Sequence, residues 1–84
     1  MAGSNDVGTA TFVVTAGRCP QLLCRLVGLF AQQDRLVHAL RVDTLPSSVR
    51  ASITVGGIDA HRAEIIGNKM RSIVSVRTVR VRFA

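Results

Sequence analysis

Apolar and polar residues alternate along some stretches of the chain and recur at spacings of three and four along others, and the switches mark the elements. Residues 9–16 (TATFVVTA) are rich in β-branched side chains and free of Gly and Pro, which predicts a strand with Phe12 and Val14 on one face. Gly17 ends it. Pro20 stands where a first helical residue is expected, because its missing N–H is one of the donors that a helix start leaves unpaired anyway. Leu22, Leu23, Leu26, Val27 and Phe30 then recur at helical spacing, so the helix is expected to run through Gln33.

Residues 36–45 (LVHALRVDTL) place Leu40 and Val42 among polar neighbours, and Pro46, Ser47 and Ser48 supply turn chemistry before a second run, residues 49–55. These two runs read as a hairpin. In the second, Val49, Ala51, Ile53 and Val55 alternate with Arg50, Ser52 and Thr54, the period of a strand with one wet face, and Gly56-Gly57 is expected to break it. Asp59 is placed to cap a second helix, in which Ala63, Ile66, Met70 and Ile73 follow at spacings of three and four to about Ser72. Residues 74–83 read as a last strand. Its phase shifts between Val76 and Val79, the mark of a bulge. The order is βαββαβ, and two helices cover one face of a four-stranded antiparallel sheet, so the fold class is α+β, a ferredoxin-like sandwich with its other face open.

The chain has 84 residues, enough for one core and no second domain, and a domain of this size has no room for a deep, walled active site. Residues 1–8 are small and polar and are expected to form a flexible N-terminal tail, with the folded domain spanning residues 9–84. They do not have the basic start and apolar run of a signal peptide. No stretch approaches the ~18 consecutive apolar residues of a membrane helix. Cys19 and Cys24 are too close in sequence to staple the fold and are read as reduced thiols of a cytoplasmic protein.

The stretch from Pro20 to Gln33 (PQLLCRLVGLFAQQ), followed by LVHALRV over residues 36–42, resembles an ACT domain. More narrowly, Arg25 and Gly28-Leu29-Phe30 are similar to the first helix of the small, regulatory subunit of acetohydroxyacid synthase, also called acetolactate synthase. Residues 63–76 (AEIIGNKMRSIVSV) are similar to that family's second helix and its passage into the last strand. The resemblance implies a non-catalytic subunit that forms a homodimer. It would bind and activate a catalytic subunit of acetolactate synthase in branched-chain amino acid biosynthesis. Thiamine diphosphate and its metal would then belong to the catalytic partner, leaving this chain with no cofactor of its own. It further implies an amino-acid ligand at the loop between the first strand and first helix, here Gly17, Arg18, Cys19, Pro20 and Gln21. Valine-sensitive subunits carry an acidic-Asn pair and a Gly in that loop, where this chain has Gly17-Arg18 and Gln21. A side chain at Gln21 crowds such a ligand and Pro20 removes a donor, so the likeness is to the short, valine-insensitive type.

Two other functions are compatible with the sequence: a stand-alone ACT sensor of a small metabolite controlling another enzyme, and a nucleic-acid module. The latter rests on a net charge of +6, with Arg41, Arg50, Arg77, Arg80 and Arg82 expected on the open sheet face or near its edges. With three Phe and no Tyr or Trp, the face has no platforms on which bases could stack, which disfavours nucleic acid. Cys19, Cys24, His38 and His61 match no zinc spacing, and no catalytic constellation is visible among five acidic residues. Gly28 and Gly67 lie within helices, either for close packing or on solvated faces.

Overall fold

The computed structural model describes residues 8–32 and 36–83. Its elements are β1 (Gly8–Ala16), α1 (Leu22–Gln32), β2 (Val37–Thr44), β3 (Val49–Ile58), α2 (Ala60–Arg71) and β4 (Val76–Phe83). All strand pairs are antiparallel and the sheet order is β2-β3-β1-β4, so β1 and β3 are central. This is the ferredoxin-like βαββαβ sandwich expected from the alternation of periods.

The strict alternation of β1 and β3 decides which side is the core. Ala10, Phe12, Val14 and Ala16 of β1, with Ala51, Ile53 and Val55 of β3, are fully buried beneath both helices. Leu22, Leu26 and Phe30 of α1 and Ala63, Ile66 and Met70 of α2 close over them. Burying each large side chain stabilises the fold by roughly 1.5–3 kcal/mol. Phe12 and Phe30 meet edge to face with ring centroids 5.4 Å apart, which fixes α1 over the centre of the sheet.

Three bulges adjust the sheet. In β4, Thr78 pairs with Thr15 and Val76 with Ala16, so Arg77 is an extra residue, and the phase shift read between Val76 and Val79 is real. In β2, Val37 pairs with Val55 and Ala39 with Thr54, which leaves His38 as the extra residue. Its imidazole lies where a Cβ on Gly56 would be. The third bulge falls where Gly8 pairs with Ile58 but Ala10 with Val55. Gly57 has φ +67° there, a conformation that glycine adopts without a side-chain penalty. The expectation that Gly56-Gly57 ends the third strand is therefore corrected: the glycines bend β3 and the strand continues to Ile58.

Other boundaries also move. Pro20 is not the first helical residue. The Leu22 amide donates to the Cys19 carbonyl (3.1 Å), so Pro20 occupies the second position of a tight turn, where its fixed φ serves equally well, and the helix starts at Leu22. Val74 lies outside the last strand, in a turn, and is 97% exposed. Gln33, the expected end of α1, and residues 1–7 of the expected tail lie outside the described residues, while Gly8 opens β1.

Asp59 caps α2 as its position suggested: Oδ1 accepts from the Arg62 amide at 2.6 Å. At the other end, Lys69 and Arg71 stand in the last turn, where cations complement the helix dipole. Arg71 donates to Asn68 Oδ1 (2.8 Å) and to the Val79 carbonyl (3.0 Å), which ties the end of α2 to β4. Gly67 is buried against the same strand, and a Cβ there would come within 2.8 Å of Val81 Cγ2. Close packing therefore explains Gly67. Gly28 has no atom within 4 Å of such a position and lies on open surface.

Candidate functional site

Three connections meet at one end of the sandwich: the β1–α1 loop, the β2–β3 turn and the passage from α2 into β4. The Gly17 amide donates to the Ser75 carbonyl at 2.9 Å, joining the first to the third. Arg18 Nη1 donates to the Pro46 carbonyl (3.3 Å) and Arg77 Nη2 to the Ser47 carbonyl (3.4 Å), joining both to the hairpin turn. The bulge turns Arg77 to this task. Of the two places expected for it, the open face and its edges, Arg77 takes the edge.

Beside these contacts lies a cleft of about 360 Å³, lined by Arg18, Cys19, Pro20, Leu22, Leu23, Val42, Thr44 and Val49. Of the five loop residues singled out in the sequence, Arg18, Cys19 and Pro20 border it, whereas Gly17 and Gln21 do not. The remaining wall comes from the start of α1 and from the hairpin. Sequence reasoning passed over Val42, Thr44 and Val49, although their position on either side of the Pro46 turn was the available signal.

The chemistry of the cleft is mixed. Leu22, Leu23, Val42 and Val49 give it an apolar wall that suits an aliphatic side chain. Arg18 uses one of its five N–H groups on Pro46, and the others remain for an anionic group. The start of α1 adds to this, since its first turn holds no acidic residue and helix starts favour negative charge. Cys19 is half-buried and Cys24 exposed, both as free thiols. Among the described residues no three His, Cys, Asp or Glu side chains cluster as a metal site would require. His61 is exposed in the first turn of α2, far in sequence from the cleft residues.

A family profile described as an ACT-like domain matches residues 3–84. The chain belongs to the ACT-like domain family. The same ACT fold recurs in solved structures of low sequence identity. The ACT domain of GTP pyrophosphokinase from Chlorobium tepidum superimposes with a TM-score of 0.79 at 10% identity, covering 92% of this chain and 100% of that one. The C-terminal domain of MgtC from Mycobacterium tuberculosis gives 0.76 at 9% identity, covering 95% and 90%. The ligand-free regulatory subunit of aspartate kinase from Thermus thermophilus gives 0.72 at 15% identity, covering 92% of this ACT-like chain and 52% of that subunit. No match was found among curated protein sequences.

Large apolar residues are exposed at both edges of the described part of the ACT-like domain: Val74 before β4 and Phe83 at its end, and three on the α1/β2 side. Val27 of α1 and Leu40 of β2, with Leu36 just before that strand, are exposed, Leu36 to 77%. β2 is an edge strand, so its outer backbone groups have no partner within the sheet. No helix of the described residues is long and apolar enough to cross a membrane.

Proposed function

We propose that this ACT-like domain is a non-catalytic regulatory subunit that pairs with a second copy through its α1/β2 side and activates the catalytic subunit of an acetolactate synthase. The observation that carries the reading is how the α1 motif divides. Phe30 is fully buried against Phe12, whereas Arg25 of the same motif is exposed and a Cβ on Gly28 would meet no atom within 4 Å among the described residues. They border a shallow groove with Cys24, Leu29, Gln32 and Ile73. Residues alike to the small subunits that the chain's own core does not use are available to a partner. The likeness of the fold to a regulatory subunit of aspartate kinase supports a regulatory role in the same sense.

The test is direct. The full chain, added to the thiamine-diphosphate-dependent catalytic subunit from the same cell, should co-elute with it and raise its turnover. Absence of both a complex and activation refutes the proposal.

The cleft favours a second reading, a sensor of a small amino acid. Arg18 and the start of α1 would take the carboxylate, and Leu22, Leu23, Val42 and Val49 the side chain. Calorimetry against the aliphatic amino acids separates the two readings, since silence for all of them removes the sensor and leaves the activator.

A further inference from the structure

The open face of the sheet carries a second concavity that the regulatory reading does not use. The register places three rows across it: Asp43, Arg50, Thr15 and Thr78; then Arg41, Ser52, Val13 and Arg80; then Ala39, Thr54, Thr11 and Arg82. Between the first two rows is a depression of about 370 Å³ lined by Val13, Thr15, Arg50, Thr78 and Arg80. That volume is in the range of small-ligand sites, roughly 300–1,000 Å³.

The fold leaves these side chains unused, as it does Arg25 on α1 and Arg82 one row along the face, and Arg50 and Arg80 are the two of these that line the depression. Arg18, Arg71 and Arg77 donate to backbone carbonyls, and Arg41 is paired with Asp43 at 3.2 Å. Asp43 lies opposite Arg50, yet its Oδ2 accepts from Arg41 and it forms no ion pair with Arg50. Arg50 and Arg80 make no hydrogen bond or ion pair among the described residues. The hydroxyls show the same contrast: Thr11 and Thr54 bond each other at 3.3 Å, while Thr15 and Thr78, also directly opposed, do not.

Two guanidinium forks thus flank two free hydroxyls on either side of β1. Neighbouring strands lie about 4.8 Å apart and Arg50 and Arg80 stand one row apart, so their backbone positions are roughly 12 Å from one another, a span that two long side chains reaching inward can close on one phosphate group. Guanidinium is suited to bidentate contact with phosphate oxygens, and hydroxyls donate to those left over.

We propose that the depression between Arg50 and Arg80 binds a phosphate-bearing small molecule, gripped through its phosphate by Arg50, Arg80, Thr15 and Thr78 over the floor made by Val13. The face has no aromatic side chain, since Phe12 and Phe83 lie on the helix side of the sheet and Phe30 is on α1, so it lacks what single-stranded nucleic acid stacks on. The site lies across the sheet from the Arg18 cleft and stands or falls independently of it.

Titration of the ¹⁵N-labelled full chain with inorganic pyrophosphate in 0.15 M NaCl tests this. Saturable shifts should centre on Val13, Thr15, Arg50, Thr78 and Arg80. Arg50→Gln and Arg80→Gln should each weaken binding about tenfold, as the loss of a charged hydrogen-bonding partner predicts. Arg80→Lys, which keeps the charge without the fork, should also weaken it, and Arg25→Gln on α1 should leave it unchanged. Dispersed spectra of each variant report that the fold is intact. Shifts that never saturate, or equal affinity in the Arg50 and Arg80 variants, overturn the proposal. So does a single-stranded RNA oligomer that binds more tightly than pyrophosphate and loses affinity equally on removal of Arg41, Arg50, Arg80 or Arg82, because the face is then an extended polyanion surface.

Discussion

The α2/β4 half of the domain and the α1/β2 half are built from the same units and finished differently. α2 is capped by Asp59, closed by Ser72, tied to β4 by Arg71 and seated on Val81 through Gly67. α1 has no acidic residue in its first turn, no basic residue in its last and an open glycine at its middle, and its strand partner β2 exposes Leu40 at the sheet edge. The contacts that cap α2 and seat it on β4 are made within the chain, although β4, like β2, is an edge strand. Those that would complete α1 and β2 are left to be made with something else. On the proposed reading, stability and recognition are divided between the halves, which is how a chain too small for a walled site would still carry a specific function.

That division can be broken by substitution. The largest effect is expected at Gly67→Ala, where the new methyl meets Val81 and thermal or urea unfolding should show a loss of about 1–3 kcal/mol. Asp59→Ala removes the bond to the Arg62 amide, and the same unfolding measurement should fall by about 1 kcal/mol. Gly28→Ala should act in the opposite direction. Its methyl meets nothing, so the isolated chain should gain about 0.4–1 kcal/mol, while activation of the catalytic subunit should fall if the groove beside Gly28 is a docking surface. The smallest effect on stability is expected at Arg18→Ala, within about 0.5 kcal/mol because the side chain is an exposed one with a single bond to Pro46. Calorimetry should nonetheless show loss of any amino-acid binding in the cleft.

Most of the architecture was legible because it depends on period. The alternation of Val49, Ala51, Ile53 and Val55 and the three-four spacing of Leu22, Leu26 and Phe30 each fix a buried face without reference to the rest of the chain. The errors fall where backbone geometry overrides pattern. Gly56-Gly57 looks like a terminator in sequence, but a bulge needs the positive φ of Gly57, and a strand can continue past it. Pro20 satisfies both a helix start and the second position of a turn, and only the Cys19–Leu22 hydrogen bond distinguishes them. Arg77 is expected with Arg80 and Arg82 on the open face or near its edges, and which of the two it takes depends on a bulge that the sequence locates only to within a few residues.

The candidate site was less legible for a related reason. Arg18, Cys19 and Pro20 were found because they are contiguous in a loop. The opposite wall, Val42, Thr44 and Val49, comes from the hairpin and is brought to the loop by the return of α1 across the sheet. Unpaired hydroxyls such as those of Thr15 and Thr78 leave no trace in sequence at all.

Pairing through the α1/β2 side is the claim on which the rest depends, and sedimentation velocity tests it most directly. The untagged full chain should sediment at twice the mass of its 9.0 kDa protomer. Leu40→Arg, which sets a charge on the exposed apolar edge, should sediment as a monomer, and Arg80→Gln on the open face should remain paired. A wild-type chain that stays monomeric across the concentration range, or a Leu40→Arg chain that still pairs, would contradict it.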